Sequence, residues 1–80
     1  MTAILETAIF EMGRKAGGES FSPSDVVKWI FPQAWPHFMM DIEEVMMRLY
    51  REGKISVTQS GKAIQKDRLP KGPVKIKVLR

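Results

Sequence analysis

The sequence contains no cysteine and a single histidine, and these two shortages exclude several kinds of site. Without cysteine there is no disulfide, no thiolate metal site and no cysteine nucleophile. His37 follows Pro36 at an expected helix start, and a catalytic or zinc role would require partner residues that converge on it. We therefore expect His37 to be structural or exposed, and the sequence predicts neither a metal nor a cofactor.

Long apolar runs are also missing. No stretch approaches the ~18 residues that a membrane-spanning helix requires. The first residues carry Glu6 and Glu11 and lack a basic leader, so they do not read as a signal peptide. A fold without disulfides suits a reducing compartment. We expect a cytoplasmic protein with no membrane partner.

Enzyme signatures are absent as well. The phosphate-binding, dinucleotide-binding and nucleophile-elbow patterns do not occur, and Gly17-Gly18 alone indicates a helix end. Asp41, Glu43 and Glu44 are acidic neighbours, but this spacing makes their side chains diverge around a helix. We expect that the protein is not an enzyme.

The composition is that of one small globular domain spanning residues 1–80, with 44% apolar and 28% charged residues. Charge is distributed unevenly. Residues 1–47 hold three basic and seven acidic side chains, whereas residues 48–80 hold ten basic and two acidic ones. This asymmetry indicates a polyanionic partner for the C-terminal part, with a merely solvated basic surface as the alternative.

Three helices are predicted from apolar spacing and from start and stop signals. The first covers residues 2–16, with Thr2 as its cap. The second begins at Ser22-Pro23-Ser24-Asp25, where Ser22 can cap the helix, and ends before Pro32. The third runs from Pro36 to about Glu52. One face of the first helix carries the apolar residues Ile4, Leu5, Ala8, Ile9, Met12 and Ala16.

From residue 54 the pattern becomes alternating, as in strands. Ile55 and Val57 belong to one strand, residues 59–62 form a turn, and residues 74–78 form a second strand with one buried and one basic face. Residues 19–21 are a candidate for a short third strand. Three helices followed by a C-terminal β-hairpin wing predict an α+β winged helix-turn-helix. Its expected core is Leu5, Ile9, Met12, Val26, Ile30, Phe38, Ile42, Met46, Leu49, Ile55, Val57, Val74 and Ile76.

The sequence resembles a family of small bacterial winged-helix proteins classed as a domain of unknown function. The residues that carry the resemblance are Pro23-Ser24-Asp25-Val26, Pro32 with Trp35, Met39-Met40, Leu49, residues 53–62 and Gly72-Pro73-Val74. The resemblance spans nearly the whole chain and implies the winged-helix fold. It implies no activity, cofactor or site residue.

Two departures from this family concern the element that would read DNA and the turn after it. Ile42-Glu43-Glu44 stands where relatives often carry an arginine, and Ala63-Ile64-Gln65 replaces a common Val-Asp-Pro. With acidic residues at its start, the third helix is unsuited to reading base edges.

Weak, non-specific binding of DNA or RNA through a basic wing is the function that the sequence favours. In that interpretation phosphate contacts come from the C-terminal cations and not from base-reading side chains. The candidate nucleic-acid-binding residues are Arg48, Arg51, Lys54, Lys62, Lys66, Arg68, Lys71, Lys75 and Lys77.

A protein-interaction module, acting as an adaptor or a homodimer, is the alternative. Met40 and Met47 are seven residues apart along one edge of the third helix's polar face, and methionine adapts well to partner surfaces. Trp29 and Trp35 are expected at or near the core. A tryptophan exposed beside Met40 or Met47 would favour this alternative.

Overall fold

The chain folds as three helices followed by a three-stranded antiparallel sheet, an α+β arrangement consistent with the expected winged helix. The computed structural model describes residues 2–79. The elements in chain order are α1 (Thr2–Lys15), α2 (Pro23–Ile30), a 3₁₀ turn (Trp35–Phe38), α3 (Met39–Arg51), β1 (Ile55–Gln59), β2 (Lys62–Ala63) and β3 (Lys75–Val78).

The start of α2 is fixed by a reciprocal pair of hydrogen bonds, as its sequence predicts. The Asp25 backbone N–H donates to Ser22 Oγ at 3.1 Å, and the Ser22 backbone N–H donates to Asp25 Oδ2 at 3.0 Å. Pro23 occupies the first turn, where a missing N–H costs nothing. The helix ends at Ile30, and Phe31 leaves the helical region because the following proline disfavours it.

The expected third helix is divided into two parts. Residues Trp35–Phe38 form a 3₁₀ turn, and the α-helix proper begins at Met39. The tighter turn brings the Phe38 ring onto Phe31, with ring centroids 4.1 Å apart in a stacked arrangement. Pro36 therefore lies in a connector that packs against the end of α2, and such 3₁₀ pieces are common at helix starts.

The sheet has the order β2-β1-β3, so the third strand differs from the expected one. Ser60 and Gly61 both have positive φ, 53° and 81°, which makes a two-residue turn that pairs Gln59 with Lys62 and creates β2. The segment before α2 contributes only an isolated bridge from Phe21 to Ile76. The expected two-stranded hairpin is therefore β1 with β3, extended by a short strand on one side.

The core lies between the three helices and the inner face of the sheet. Most of the expected core is buried, whereas Met12, Ile30 and Phe38 are only partly buried against it. The buried apolar residues are Leu5, Ala8, Ile9, Phe21, Val26, Val27, Ile42, Val45, Met46, Met47, Leu49, Tyr50, Ile55, Val57, Val74 and Ile76. Two apolar side chains lie outside the core: Ile4, on the apolar face of α1, is 54% exposed, and Trp29, expected at or near the core, is 44% exposed.

Candidate nucleic-acid interface

Two lysines of β3 point away from the core because the strand alternates its faces. Val57 pairs with Ile76 on the buried face, and therefore Lys75 and Lys77, opposite Thr58 and Ser56, lie on the outer face. Both lysines are exposed. This placement agrees with the predicted basic face of the last strand.

The wing, defined here as residues 60–74, is attached to the end of α3 by side chains of that helix. Tyr50 Oη donates to the Ile64 carbonyl oxygen at 2.6 Å, and Arg51 Nε donates to the Lys66 carbonyl oxygen at 2.9 Å. The Lys66 ammonium lies 5.0 Å from the centre of the Tyr50 ring, within the range of a cation–π contact. The first half of the wing is thus held against the body of the domain.

The second half of the wing is held by Gln59 of β1. The Gln59 side-chain amide donates to the carbonyl oxygens of Lys71 and Pro73, the latter at 3.4 Å. Gly72 adopts a φ of 87°, and a Cβ there would lie 3.2 Å from the Gln59 amide nitrogen, so a glycine suits this close approach. Between these attachments, Arg68 and Leu69 are exposed at the tip of the wing.

Three of the candidate cations, in the last turn of α3 or just after it, are already engaged within the domain. Arg48 donates to Glu6 Oε2 at 2.6 Å and to Glu52 Oε2 at 3.5 Å, while Lys54 lies 3.5 Å from Glu52. Arg51 Nε donates a hydrogen bond to the wing backbone.

The Glu6–Arg48 contact also shifts the protonation of both groups. The hydrogen bond from Arg48 lowers the pKa of Glu6 below its ordinary value, and the same bond raises the pKa of Arg48. Both side chains are about a third exposed, so this pair contributes little to stability by itself. Its consequence is local: Arg48 is charge-compensated and poorly suited to contact a phosphate.

Of the other six candidate cations, Lys66 lies over the Tyr50 ring and Arg68 lies 3.9 Å from Asp67. The remaining four are Lys62 and Lys71 in the wing and Lys75 and Lys77 in β3. We call them the basic wing surface. Within residues 2–79 no carboxylate forms an ion pair with any of them. Gln59 connects the two parts, since it pairs with Lys62 in the sheet and binds the Lys71 carbonyl through its side chain.

Lys75 has one acidic neighbour at longer range, Asp25 at the start of α2. The pKa of Asp25 lies below its ordinary value, chiefly because the Ser22 backbone N–H donates to its carboxylate, with smaller contributions from the Lys75 and Lys28 charges. The Asp25 carboxylate therefore accepts a hydrogen bond at the helix cap. Its charge reduces the positive potential at Lys75 only by a longer-range electrostatic interaction.

The exposed stripe of α3 is narrow and begins with acidic side chains. Asp41 and Glu44 are exposed, and they line a depression of about 300 Å³ together with Arg48 and residues of α1. A phosphate approaching this end of the helix would meet like charge. The chemistry of α3 is therefore unlike that of the basic wing surface.

The comparison with known families places the chain in one of them. The family described as "Protein of unknown function (DUF3253)" matches residues 2–79. The chain belongs to this family. The resemblance stated from the sequence is confirmed, and membership assigns no activity. No curated protein matches the sequence.

The two methionines predicted to contact a protein partner differ in exposure in this DUF3253 domain. Met40 is 70% exposed, but Met47 is only 1% exposed and cannot offer its side chain to a partner. The prediction for Met47 was wrong because α3 is covered by α1, α2 and β1, so its buried arc is wider than a one-sided helix would have.

An apolar surface of the DUF3253 domain lies elsewhere, between α1 and α2. It is lined by Ile4, Ala8, Trp29 and Ile30, and the Lys15 ammonium lies 4.9 Å from the centre of the Trp29 ring. Trp35 is half-buried, with the Lys28 ammonium 4.5 Å from its ring centre. Met40 does not line this surface. The sequence signal for the patch was an isoleucine near the start of α1 and a tryptophan near the end of α2.

Residues 2–79 show neither a metal site nor a membrane-spanning helix. No cluster of three or more His, Asp and Glu side chains is arranged there to hold a metal ion. His37, placed in the 3₁₀ turn, is exposed. No helix in this part of the chain has the length and apolarity to cross a bilayer.

Proposed function

We propose that this domain binds the phosphate backbone of DNA or RNA, without sequence specificity, through the basic wing surface. The observation that carries the proposal is the exposure of Lys62, Lys71, Lys75 and Lys77 without a carboxylate partner among residues 2–79. Exposed ammonium groups on a fixed scaffold release condensed counterions when they contact phosphates, and this release drives non-specific binding.

The attachments of the wing support the proposal. Tyr50 and Gln59 hold the backbone on both sides of the wing tip, so little backbone entropy is lost when the wing contacts a ligand. The excess charge in residues 48–80, ten basic against two acidic side chains, supplies long-range attraction to a polyanion. The acidic start of α3 argues against sequence readout by that helix.

The expected salt dependence follows from the number of lysines involved. Four phosphate contacts give a slope of about −3.6 in a plot of log K against log salt concentration. Raising the salt from about 50 to 200 mM then weakens binding by about 10²-fold. A ligand held by apolar contacts would change its affinity far less.

The test is a fluorescence-anisotropy titration of labelled duplex DNA and duplex RNA at both salt concentrations. The informative variant is Lys75→Gln/Lys77→Gln, which removes two contacts from the outer sheet face. The matched control is Lys15→Gln/Lys28→Gln, which makes the same change in net charge on α1 and α2. We expect the slope to fall by about 1.8 in the informative variant and to stay unchanged in the control.

Two results would overturn the proposal. One is the absence of binding to either duplex at the lower salt concentration. The other is an equal loss of affinity in both double variants, because net charge alone would then explain the binding.

Association with a protein partner is the second candidate. The exposed surface around Ile4 and Trp29 is a better site for such a partner than the predicted Met40–Met47 face. A protein partner would bury the Trp29 ring, so binding would be nearly independent of salt and lost in a Trp29→Lys variant. Sedimentation of the purified protein, wild type against Trp29→Lys, tests the homodimer form of this candidate. A monomer at all concentrations would exclude that form.

A further inference from the structure

A groove crosses the wing and includes Lys62 and Lys71 of the basic wing surface in its lining. It has a volume of about 480 Å³, within the range of small-molecule sites. Its lining combines cations, side-chain amides and apolar groups and contains no carboxylate. The residues that line it are Gln59, Lys62, Ala63, Ile64, Gln65, Arg68, Leu69, Pro70 and Lys71.

Some charged side chains of the wing line this groove and others do not. Lys62, Arg68 and Lys71 line it, whereas Lys66 lies over the Tyr50 ring. Asp67 does not line the groove; it contacts Arg68 at 3.9 Å, with both side chains about three-quarters exposed. An exposed pair at that distance is weak, so a bound anion can replace Asp67 as the partner of Arg68.

The groove is formed before any ligand arrives. Tyr50 fixes the Ile64 carbonyl on one wall, Gln59 fixes the Lys71 carbonyl on the other, and Pro70 restricts the backbone between them. A preformed site spends less of its interaction energy on ordering the loop. Leu69 and Ile64 supply apolar surface next to the cations.

We propose that the wing groove binds a phosphate monoester that carries a nucleoside, with the phosphate at Lys62, Arg68 and Lys71 and the base on Leu69 and Ile64. The choice of a nucleoside rests on the proposed nucleic-acid function, while the site itself differs from backbone contact at Lys75 and Lys77. The phosphate monoester can belong to a free nucleotide or to the 5′ end of a strand, and the two sources share this chemistry.

The test is a titration of ¹⁵N-labelled protein with AMP, followed by amide chemical shifts. Adenosine and inorganic phosphate each supply one half of the ligand and serve as controls. Arg68→Gln changes the groove, and Lys77→Gln makes the same change in charge on the outer sheet face. A second pair of probes, one short oligonucleotide with a 5′-phosphate or a 5′-hydroxyl, distinguishes the two sources.

The proposal is supported if AMP shifts only the amide signals of residues 59–71. Adenosine and inorganic phosphate should each bind about tenfold more weakly than AMP, and Arg68→Gln should weaken AMP binding by about the same factor. Lys77→Gln should change the affinity for AMP less than about twofold. Tighter binding of the 5′-phosphorylated oligonucleotide than of its 5′-hydroxyl form assigns the site to strand ends, and equal binding of these two oligonucleotides assigns it to nucleotides.

The proposal is overturned by equal effects of Arg68→Gln and Lys77→Gln, or by no shifts at about 10 mM AMP. Its failure is distinguishable from that of the proposed function. Duplex binding that depends on Lys75 and Lys77 can persist without AMP binding, and AMP binding can persist without duplex binding.

Discussion

Gly13 is a buried glycine in the interior of α1, a position where glycine ordinarily weakens a helix. Its presence follows from the close approach of α1 to β3. A Cβ at Gly13 would lie 2.8 Å from Val78 Cβ and closer still to Val78 Cγ2. We therefore expect Gly13→Ala to destabilise the protein even though alanine is the best helix former.

The magnitude is a difference between two opposing effects. Helix propensity favours alanine by about 1 kcal/mol. Overpacking costs about 1–3 kcal/mol, and the branched Val78 side chain is stiff about χ1, so we take the upper part of that range. The net effect of Gly13→Ala is then a loss of about 1–2 kcal/mol.

A double-mutant cycle with Val78→Ala tests the cause. That change removes both Cγ atoms and leaves only the approach between the two Cβ atoms. Because the two Cβ atoms would still lie 2.8 Å apart, Gly13→Ala should remain destabilising in that background, but by about 1 kcal/mol less, which is a coupling of about 1 kcal/mol. Urea unfolding followed by tryptophan fluorescence supplies the four free energies. A stabilising Gly13→Ala, or an equal loss in both backgrounds, would refute the reasoning.

Three further predictions concern the helix cap and the wing. Ser22→Ala should lower the free energy of unfolding by about 1 kcal/mol, measured in urea, whereas Ser20→Ala should leave it unchanged. The pKa of Asp25 is lowered in the folded state, so its contribution to stability is complete above the ordinary carboxyl pKa of about 3.9. That contribution is lost as the pH falls through the folded-state pKa. Asp25→Asn should therefore remove this part of an acid-unfolding curve. Tyr50→Phe should cost about 1 kcal/mol and accelerate amide exchange in the wing but not in α2, since only the bond to Ile64 is lost.

The parts of the fold that could be predicted from sequence are those set by neighbouring residues. The cap of α2 needs only Ser22 and Asp25, and the β1–β3 pairing follows from alternation around Val57 and Ile76. The two-residue strand β2 is too short to give a pattern of its own and exists because the Ser60-Gly61 turn brings Lys62 back to Gln59.

Other parts depend on contacts between distant residues, which periodicity does not report. Met47 lies at the edge of the polar face on a helical wheel, yet it is buried because other elements cover α3 from several directions. Arg48 is compensated by Glu6, a residue of another helix. The bond from Tyr50 to Ile64 joins a side chain to a backbone carbonyl, which any residue type supplies.

Contacts between distant residues also decide how strongly the affinity for nucleic acid should depend on salt concentration. The sequence offers nine candidate cations from Arg48 to Lys77, and nine phosphate contacts would give a slope of about −8. In the structure Arg48 and Lys54 have carboxylate partners, Arg51 binds the wing backbone, Lys66 lies over an aromatic ring, and Arg68 makes a weak, exposed contact with Asp67. The other four lysines give a slope of about −3.6, and replacing Asp67 by a phosphate at Arg68 would make it about −4.5. A measured slope near the larger value would mean that these internal contacts open on binding, whereas one near the smaller value would mean that the domain binds with the contacts it already has.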